Sequence, residues 1–355
     1  MKDQVEVIRL YAEGEERDHQ KRGKGMRIVF FGNGFEYSLS MLQVLLMQAQ
    51  GEVVGVVSPV SDKRSRAEIV RKYGEGFSEG REPQRRLGVG AREQLLLKMR
   101  ELAKMSGAEL LWPGRVNSRE VLEALGRWDA DLGVIAGFDQ ILKRSVLEKI
   151  PKVINVHPSL LPEYRGSSPE FWIVSNGELR SGVTVHVVDE GIDTGPIIAQ
   201  RQFEVEPWLT CGELQTRSIE EGGALLGELL GEDGDWCERA QEGDGSYYRS
   251  PVAEDLSLPF WLSSEAVFDR WRASTPWGLM YTHVLGGWEG LKDREVAKMS
   301  RNGGEGKVRL RLDDAVPFAG SRSEEQVGTL RRSGKGAAAV CSGGGVVYFR
   351  KVLLC

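Results

Sequence analysis

The chain has 355 residues, of which 41% are hydrophobic and 28% charged, with a net charge of −5. That length supports a substantial core in two or perhaps three domains, and no uninterrupted apolar run approaches the roughly 20 residues that span a bilayer. The four cysteines (Cys211, Cys237, Cys341 and Cys355) are widely spaced without a C-x-x-C pair, which argues against a disulfide framework and a zinc site.

Residues 1–25 are polar and charged and contain no apolar core of a signal peptide. They read as a disordered N-terminal extension, with the folded part starting near Met26 and a cytoplasmic location as the expectation. From Met26 the pattern alternates. A strand at 27–31 is followed by a helix at 36–49, a strand at 53–57, a long polar loop, a helix at 91–105 and a short strand at 109–112. A helix at 118–127 capped by Asn117 or Ser118, a strand at 132–136, a helix at 140–149 and a strand at 152–157 complete the run. Continuously apolar strands alternating with helices imply an α/β fold with a Rossmann-like, mostly parallel sheet covered on both faces.

Lys152 to His157 alternates with β-branched residues, so Asn155 and His157 face the same way and Val156 the other. Pro158 ends the strand, which puts the polar pair at a carboxyl end, where open α/β sheets bind ligands. A second alternating strand, Gly182 to Val188, runs into Asp189-Glu190-Gly191-Ile192-Asp193-Thr194-Gly195, where Asp193 lies 36 residues after His157. A loop from a neighbouring strand can bring that carboxylate to the imidazole. Ser168 reads as the N-cap of a helix carrying Phe171 and Trp172 in the core. His186 reads as structural, and His19 and His283 as surface residues.

A closing helix is expected at 212–230, and Gly231 to Gly245 reads as a linker or exposed hairpin. Beyond it, Trp261, Trp271, Trp277 and Trp288 lie on a helix-then-strand pattern, and alternating segments at 308–312 and 346–349 suggest a small β-rich module. The expected division is 1–25, a catalytic domain at 26–207, a closing helix and linker at 208–255, and a C-terminal domain at 256–355. Residues 256–355 carry 15 Lys+Arg against 10 Asp+Glu, leaving 32 against 42 in the rest. A basic module beside an acidic one is a pattern of polyanion binders and equally of chance.

The Asn155-x-His157 strand end, Asp193 in its glycine-containing loop, Ser159 to Gly166, and Gly182-Val183-Thr184 through Ile197-Ile198 together resemble the folate-dependent formyltransferases. The resemblance implies transfer of a formyl group from 10-formyltetrahydrofolate to a primary amine, without a metal. It makes Asn155, His157 and Asp193 the catalytic set. It implies a pterin-binding loop through Ile135, Gly137, Phe138, Gln140 and Leu142, faced by Val188, Asp189, Glu190 and Ile192, with acceptor contacts from Ser159, Leu160, Leu161, Pro162 and Arg165. Asn155 and a protonated His157 suit an oxyanion, Asp193 suits proton removal, and a neighbouring carboxylate is expected to raise the imidazole above its reference of about 6.5.

Phe268 to Gly278 and Gly328 through Leu353 resemble, more loosely, the C-terminal domain of methionyl-tRNA formyltransferases, an OB-type module that helps hold tRNA. That makes methionyl-initiator tRNA the first expectation for the acceptor and a monomer the expected state. The basic residues Lys63, Arg64, Arg66, Arg71, Lys72, Arg81, Arg85 and Arg86 are candidate phosphate contacts, interrupted by Glu68, Glu75, Glu79 and Glu82. Several features depart from that pattern: Gly32-Asn33-Gly34 replaces the usual first turn, Pro158 follows His157, and Phe171-Trp172 with Asn176-Gly177-Glu178 is similar to enzymes that formylate amino sugars on nucleotides. An amino-sugar nucleotide is therefore the alternative acceptor. Other classes are a non-catalytic folate- or nucleotide-binding protein, a metal hydrolase, and a dinucleotide oxidoreductase. The last is opposed by Tyr37 in the third glycine's place and by the missing acidic ribose partner after the second strand.

Overall fold

The computed structural model describes residues 25–48, 51–60, 89–231, 236–256, 262–275, 281–285, 307–318, 330–333, 336–341 and 346–354. The expected extension at 1–25, apart from Gly25, and the basic residues between Lys63 and Arg86 lie outside them. Two compact units are present, one of residues 1–167, 180–203 and 215–247, the other of 168–179, 204–214 and 248–355.

The first unit is built on a seven-stranded sheet. In chain order its elements are β1 (Arg27–Phe31), α1 (Glu36–Gln48), β2 (Glu52–Val57), α2 (Val89–Ser106), β3 (Glu109–Leu111), α3 (Arg119–Trp128), β4 (Leu132–Ile135), α4 (Arg144–Leu147), β5 (Lys152–His157) and the short β6 (Arg165–Gly166). The chain passes through α5 (Pro169–Ser175) and returns with β7 (Arg180–Val187), β8 (Ile197–Glu204) and α6 (Cys211–Leu230), followed by the two-residue β9 (Tyr247–Tyr248). The strand order is β3-β2-β1-β4-β5-β7-β8. The pairs among β1 to β5 are parallel, and β7 runs antiparallel to β5.

The parallel strands are buried almost end to end, which is why they read as unbroken apolar runs. On one face Val29, Phe31, Val54 and Val57 pack with Val121, Leu125 and Trp128 of α3 and with Val146 of α4. On the other face α6 comes close to the sheet at Gly222. A Cβ there would lie 3.0 Å from Val156 and 3.1 Å from Met41 and Val183, so a larger residue would force those side chains to give way.

The helix expected at 140–149 is one turn, at Arg144–Leu147. Side chains account for the difference. Gln140 accepts from the Val116 amide and donates to the Gly114 carbonyl, while Asn117 donates to the Ile141 carbonyl and accepts from the Lys143 amide. The two Asn117 bonds tie down backbone groups of the expected helix, and the Gln140 bonds anchor its first residue to the 114–116 segment. Ser118 precedes α3 without a side-chain capping bond.

In the second unit, α7 (Ser264–Ala273) is capped by Ser263, whose hydroxyl accepts from the Ala266 amide. Arg272 is buried in it, bonded to Asp269 and to the Leu209 carbonyl. The strands β10 (Tyr281–Leu285), β11 (Lys307–Phe318), β12 (Leu330–Ser333), β13 (Gly336–Val340) and β14 (Val346–Leu354) form a five-stranded sheet in the order β10-β11-β14-β13-β12, antiparallel throughout. Trp261, Trp277 and Trp288 lie outside the described residues, and Trp271 lies on α7. Before α5, Ser168 occupies the cap position in a left-handed conformation without the side-chain bond expected of it.

Candidate active site

Strand register assembles the site. Ile135 of β4 lies opposite Asn155 of β5, and Asn155 lies opposite His186 of β7. The alternation expected along β5 holds, since Val156 packs toward α6 on the far face. Asp193 enters from the loop after β7 in a left-handed conformation, φ 53°, a region that aspartate tolerates better than most residues.

Asn155, His157 and Asp193 therefore converge. Asn155 Nδ2 donates to Asp193 Oδ1 at 3.2 Å and lies 3.2 Å from His186 Nε2. The His157 Nδ1 atom is 3.7 Å from Asp193 Oδ2, and its Nε2–H donates to the Tyr164 carbonyl at 2.9 Å. The Gly166 amide donates to Asp193 Oδ2 at 2.8 Å. His186 joins the cluster, with Nε2 at 3.6 Å from Asp193 Oδ1 and Nδ1–H donating to the Val187 carbonyl. Its position was legible only through register, because facing Asn155 across β5 and β7 is a long-range property.

Burial decides the charge of His157 but not that of Asp193. It holds the His157 imidazole below its usual range, outweighing the opposite pull of the Asp193 carboxylate and of the Tyr164 carbonyl. The expectation of a raised imidazole is corrected on that ground: with the ring almost wholly desolvated, loss of hydration exceeds the attraction of one carboxylate. Burial also disfavours the Asp193 anion, yet the nearby imidazoles and the Gly166 amide overcome it and hold the carboxyl well below its usual range. The ground state is a carboxylate beside a neutral His157.

The loop after β5 is held from beneath. Ser159 is fully buried, its hydroxyl donating to the Glu163 carbonyl, and the Thr184 hydroxyl ties the Ser159 carbonyl to the Leu161 amide. Gln200 donates to the Leu161 carbonyl, and the Leu161–Pro162 bond is cis. Leu161 is buried, and Leu160 and Pro162 are half-buried. Arg165 turns to Gln241, whose Oε1 accepts from its Nε and Nη2 at 3.0 and 2.7 Å.

Of the expected pterin residues, Ile135 and Leu142 belong to the core beneath the sheet end, and the Gln140 amide is committed to Val116 and Gly114. Gly137, φ 59°, approaches α1 so closely that a Cβ would lie 2.8 Å from the Ser38 hydroxyl. Phe138 is half-buried and meets Phe31 edge-on. Across from it, Val188 packs on the core, Asp189 braces its own loop through the Gly191 amide and Thr194 hydroxyl, and Glu190 is exposed. Ile192 and, on the first loop, Ile141 are large apolar side chains left 39% and 55% exposed. Among the described residues no group of three or more His, Cys, Asp and Glu is arranged to hold a metal ion, and no helix is long and apolar enough to cross a membrane.

The profile of the family described as Formyl transferase matches residues 26–230. A methionyl-tRNA formyltransferase of Synechococcus sp. (strain JA-3-3Ab) is 35% identical over 258 residues, 71% of this chain and 72% of that protein. Its counterpart from Agathobacter rectalis is 30% identical over 266 residues, 74% and 77% of the two chains. Among solved structures, the sugar 3N-formyl transferase WlaRD, crystallised with dTDP and 5-N-formyl-THF, superposes with a TM-score of 0.58 at 17% identity, covering 93% of this chain and 98% of that one. The N-formyltransferase of Helicobacter canadensis, in complex with folinic acid and dTDP-3-aminofucose, gives 0.57 at 16% identity and 92% and 98% coverage. The chain belongs to the formyl transferase family and is a folate-dependent formyltransferase that moves a formyl group from formyl-tetrahydrofolate to an amine.

Proposed function

We propose that Asn155, His157 and Asp193 carry the transfer and that the amine belongs to methionyl-initiator tRNA. The acceptor assignment rests on one observation, identity of 35% with a methionyl-tRNA formyltransferase across 72% of that relative's length. In the proposed reaction the amine nitrogen attacks the formyl carbon, forming a C–N bond and an oxyanion. Asn155 Nδ2–H and the N–H on Nε2 of His157 turn from their protein partners to that oxygen. Because neutral imidazole already carries this hydrogen, the donation needs no second proton. Asp193, held as a carboxylate, takes the proton from the attacking nitrogen. The adduct then collapses, the bond from carbon to N10 of the folate breaks, and N10 leaves with the proton that Asp193 took from the amine, which restores the carboxylate. The loops at 135–142 and 188–192 would hold the pterin, with Phe138, Ile141 and Ile192 offering apolar surface to a flat ring.

A second acceptor, an amino-sugar nucleotide, is supported by the likeness in fold to the two sugar formyltransferases, which align over more than nine-tenths of this chain. Incubation with 10-formyltetrahydrofolate and separate pools of charged initiator tRNA and amino-sugar nucleotides discriminates the two. Transfer to the methionyl amine is expected, and transfer to the sugar alone would replace the acceptor while leaving the chemistry in place.

A further inference from the structure

The stretch from Gly231 to Gly245, expected to be a linker or exposed hairpin, lies beyond the part of the chain that matches the family profile. Residues 239–246 nevertheless bond to the loop after β5 and to the loop that carries Asp193. Arg239 exchanges backbone bonds with Ile197 and donates from its guanidinium to Gln200, the residue that holds the Leu161 carbonyl. Ser246 accepts the Tyr164 amide on its hydroxyl and the Arg165 amide on its carbonyl, and its own amide donates to the Pro162 carbonyl. Gln241 stands between these anchors.

We infer that Gln241 is a positioning residue for Asp193, an inference that rests on the reading of Asp193 as the proton acceptor. The Gln241 Nε2 donates to the carbonyls of both Asp193 and Gly195, each at 2.8 Å. Its Oε1 holds Arg165, and the next residue, Gly166, donates its amide to Asp193 Oδ2. One side-chain amide thus grips Asp193 at both ends, through its carbonyl directly and through its carboxylate by way of Arg165-Gly166. An amide, with two donors and an acceptor, can do both. Glutamate offers acceptors alone and lysine donors alone, so either leaves one side of the clamp unmade. Aspartate in a left-handed conformation has no intrinsic preference strong enough to keep its carboxylate on one line of approach. A group moved by about 1 Å from its reacting partner loses on the order of a hundredfold in rate.

Gln241→Ala and Gln241→Glu test this in the full-length enzyme, with 10-formyltetrahydrofolate and whichever acceptor the native enzyme uses. Each variant is expected to lose about 10- to 100-fold in kcat, with the KM for folate within about threefold of native. The acid limb of the pH–rate profile should move to higher pH, because the Gly166 amide no longer supports the carboxylate. Folded variants with native kcat and an unmoved limb, or with the whole loss in KM, would overturn the inference. A native enzyme unable to transfer formyl to either acceptor would instead overturn the reading beneath it. Hydrogen exchange of the amides at 191–195 decides the clamp independently of turnover: exchange at least about tenfold faster in Gln241→Ala supports it, and native protection refutes it.

Discussion

Two imidazoles flank one carboxylate, and desolvation holds one of them, His157, in its neutral form. Because burial holds His157 below its usual range, the unfolded chain takes up this proton first as the pH falls below about 6.5, so the site's stability falls on acidification. The depressed Asp193 carboxyl adds a further loss below about pH 4. Replacing His157 with Asn should remove the first fall, seen as a smaller shift in the urea midpoint between pH 7 and pH 5 than the native protein shows. Asn155→Ala should cost about 10²- to 10³-fold in kcat, the usual consequence of deleting one oxyanion donor, and steady-state kinetics would show it. The placement of Asn155 and His157 at a strand end was legible because strand alternation and a proline stop are local signals, whereas Asp193 was singled out by the resemblance to the formyltransferases. The Gln241 clamp was not legible, since a glutamine in a stretch rich in Gly, Asp and Glu carries no pattern until the chain is folded. The neutral state of His157 was missed because residue lists disclose the neighbouring charge and conceal the dehydration.

Elements set the frame in which these residues meet. The parallel strands were readable from their apolar runs, and their C-terminal ends are where the site lies. The helix expected at 140–149 is shortened where the Asn117 side chain takes the Ile141 carbonyl and the Lys143 amide, a contact across more than twenty residues of chain. Gly222 lets α6 rest on Val156, the far side of the strand that carries Asn155 and His157. Gly222→Val should therefore destabilise the protein by roughly 1–3 kcal/mol through overpacking, measurable by denaturant unfolding. In α5 the Glu170 carboxyl is buried and pushed up to about 7, mainly by desolvation. The folded state then holds a proton that the unfolded state releases above about pH 4.5, so stability is greatest below that value and is lost as pH rises through 7. Glu170→Gln should remove this loss, raising the urea midpoint at pH 8 relative to native and leaving it nearly unchanged at pH 4.5.

At the scale of the whole molecule, one chain combines a seven-stranded catalytic sheet with a second unit whose strands are antiparallel. The proposed tRNA acceptor implies phosphate contacts, and affinity for it should fall steeply as salt rises from about 50 to 200 mM; filter binding with full-length protein measures this. A flat salt response would favour the small sugar nucleotide. Neither outcome alters the central claim, which concerns the carboxylate at the strand ends. Asp193→Asn keeps the shape of that side chain and removes its capacity to take a proton. Single-turnover transfer of labelled formyl from 10-formyltetrahydrofolate, compared between native and Asp193→Asn enzyme, tests the claim most directly. The rate should fall by about 10²- to 10⁴-fold with folate affinity within a few-fold of native, whereas transfer at a near-native rate would contradict it.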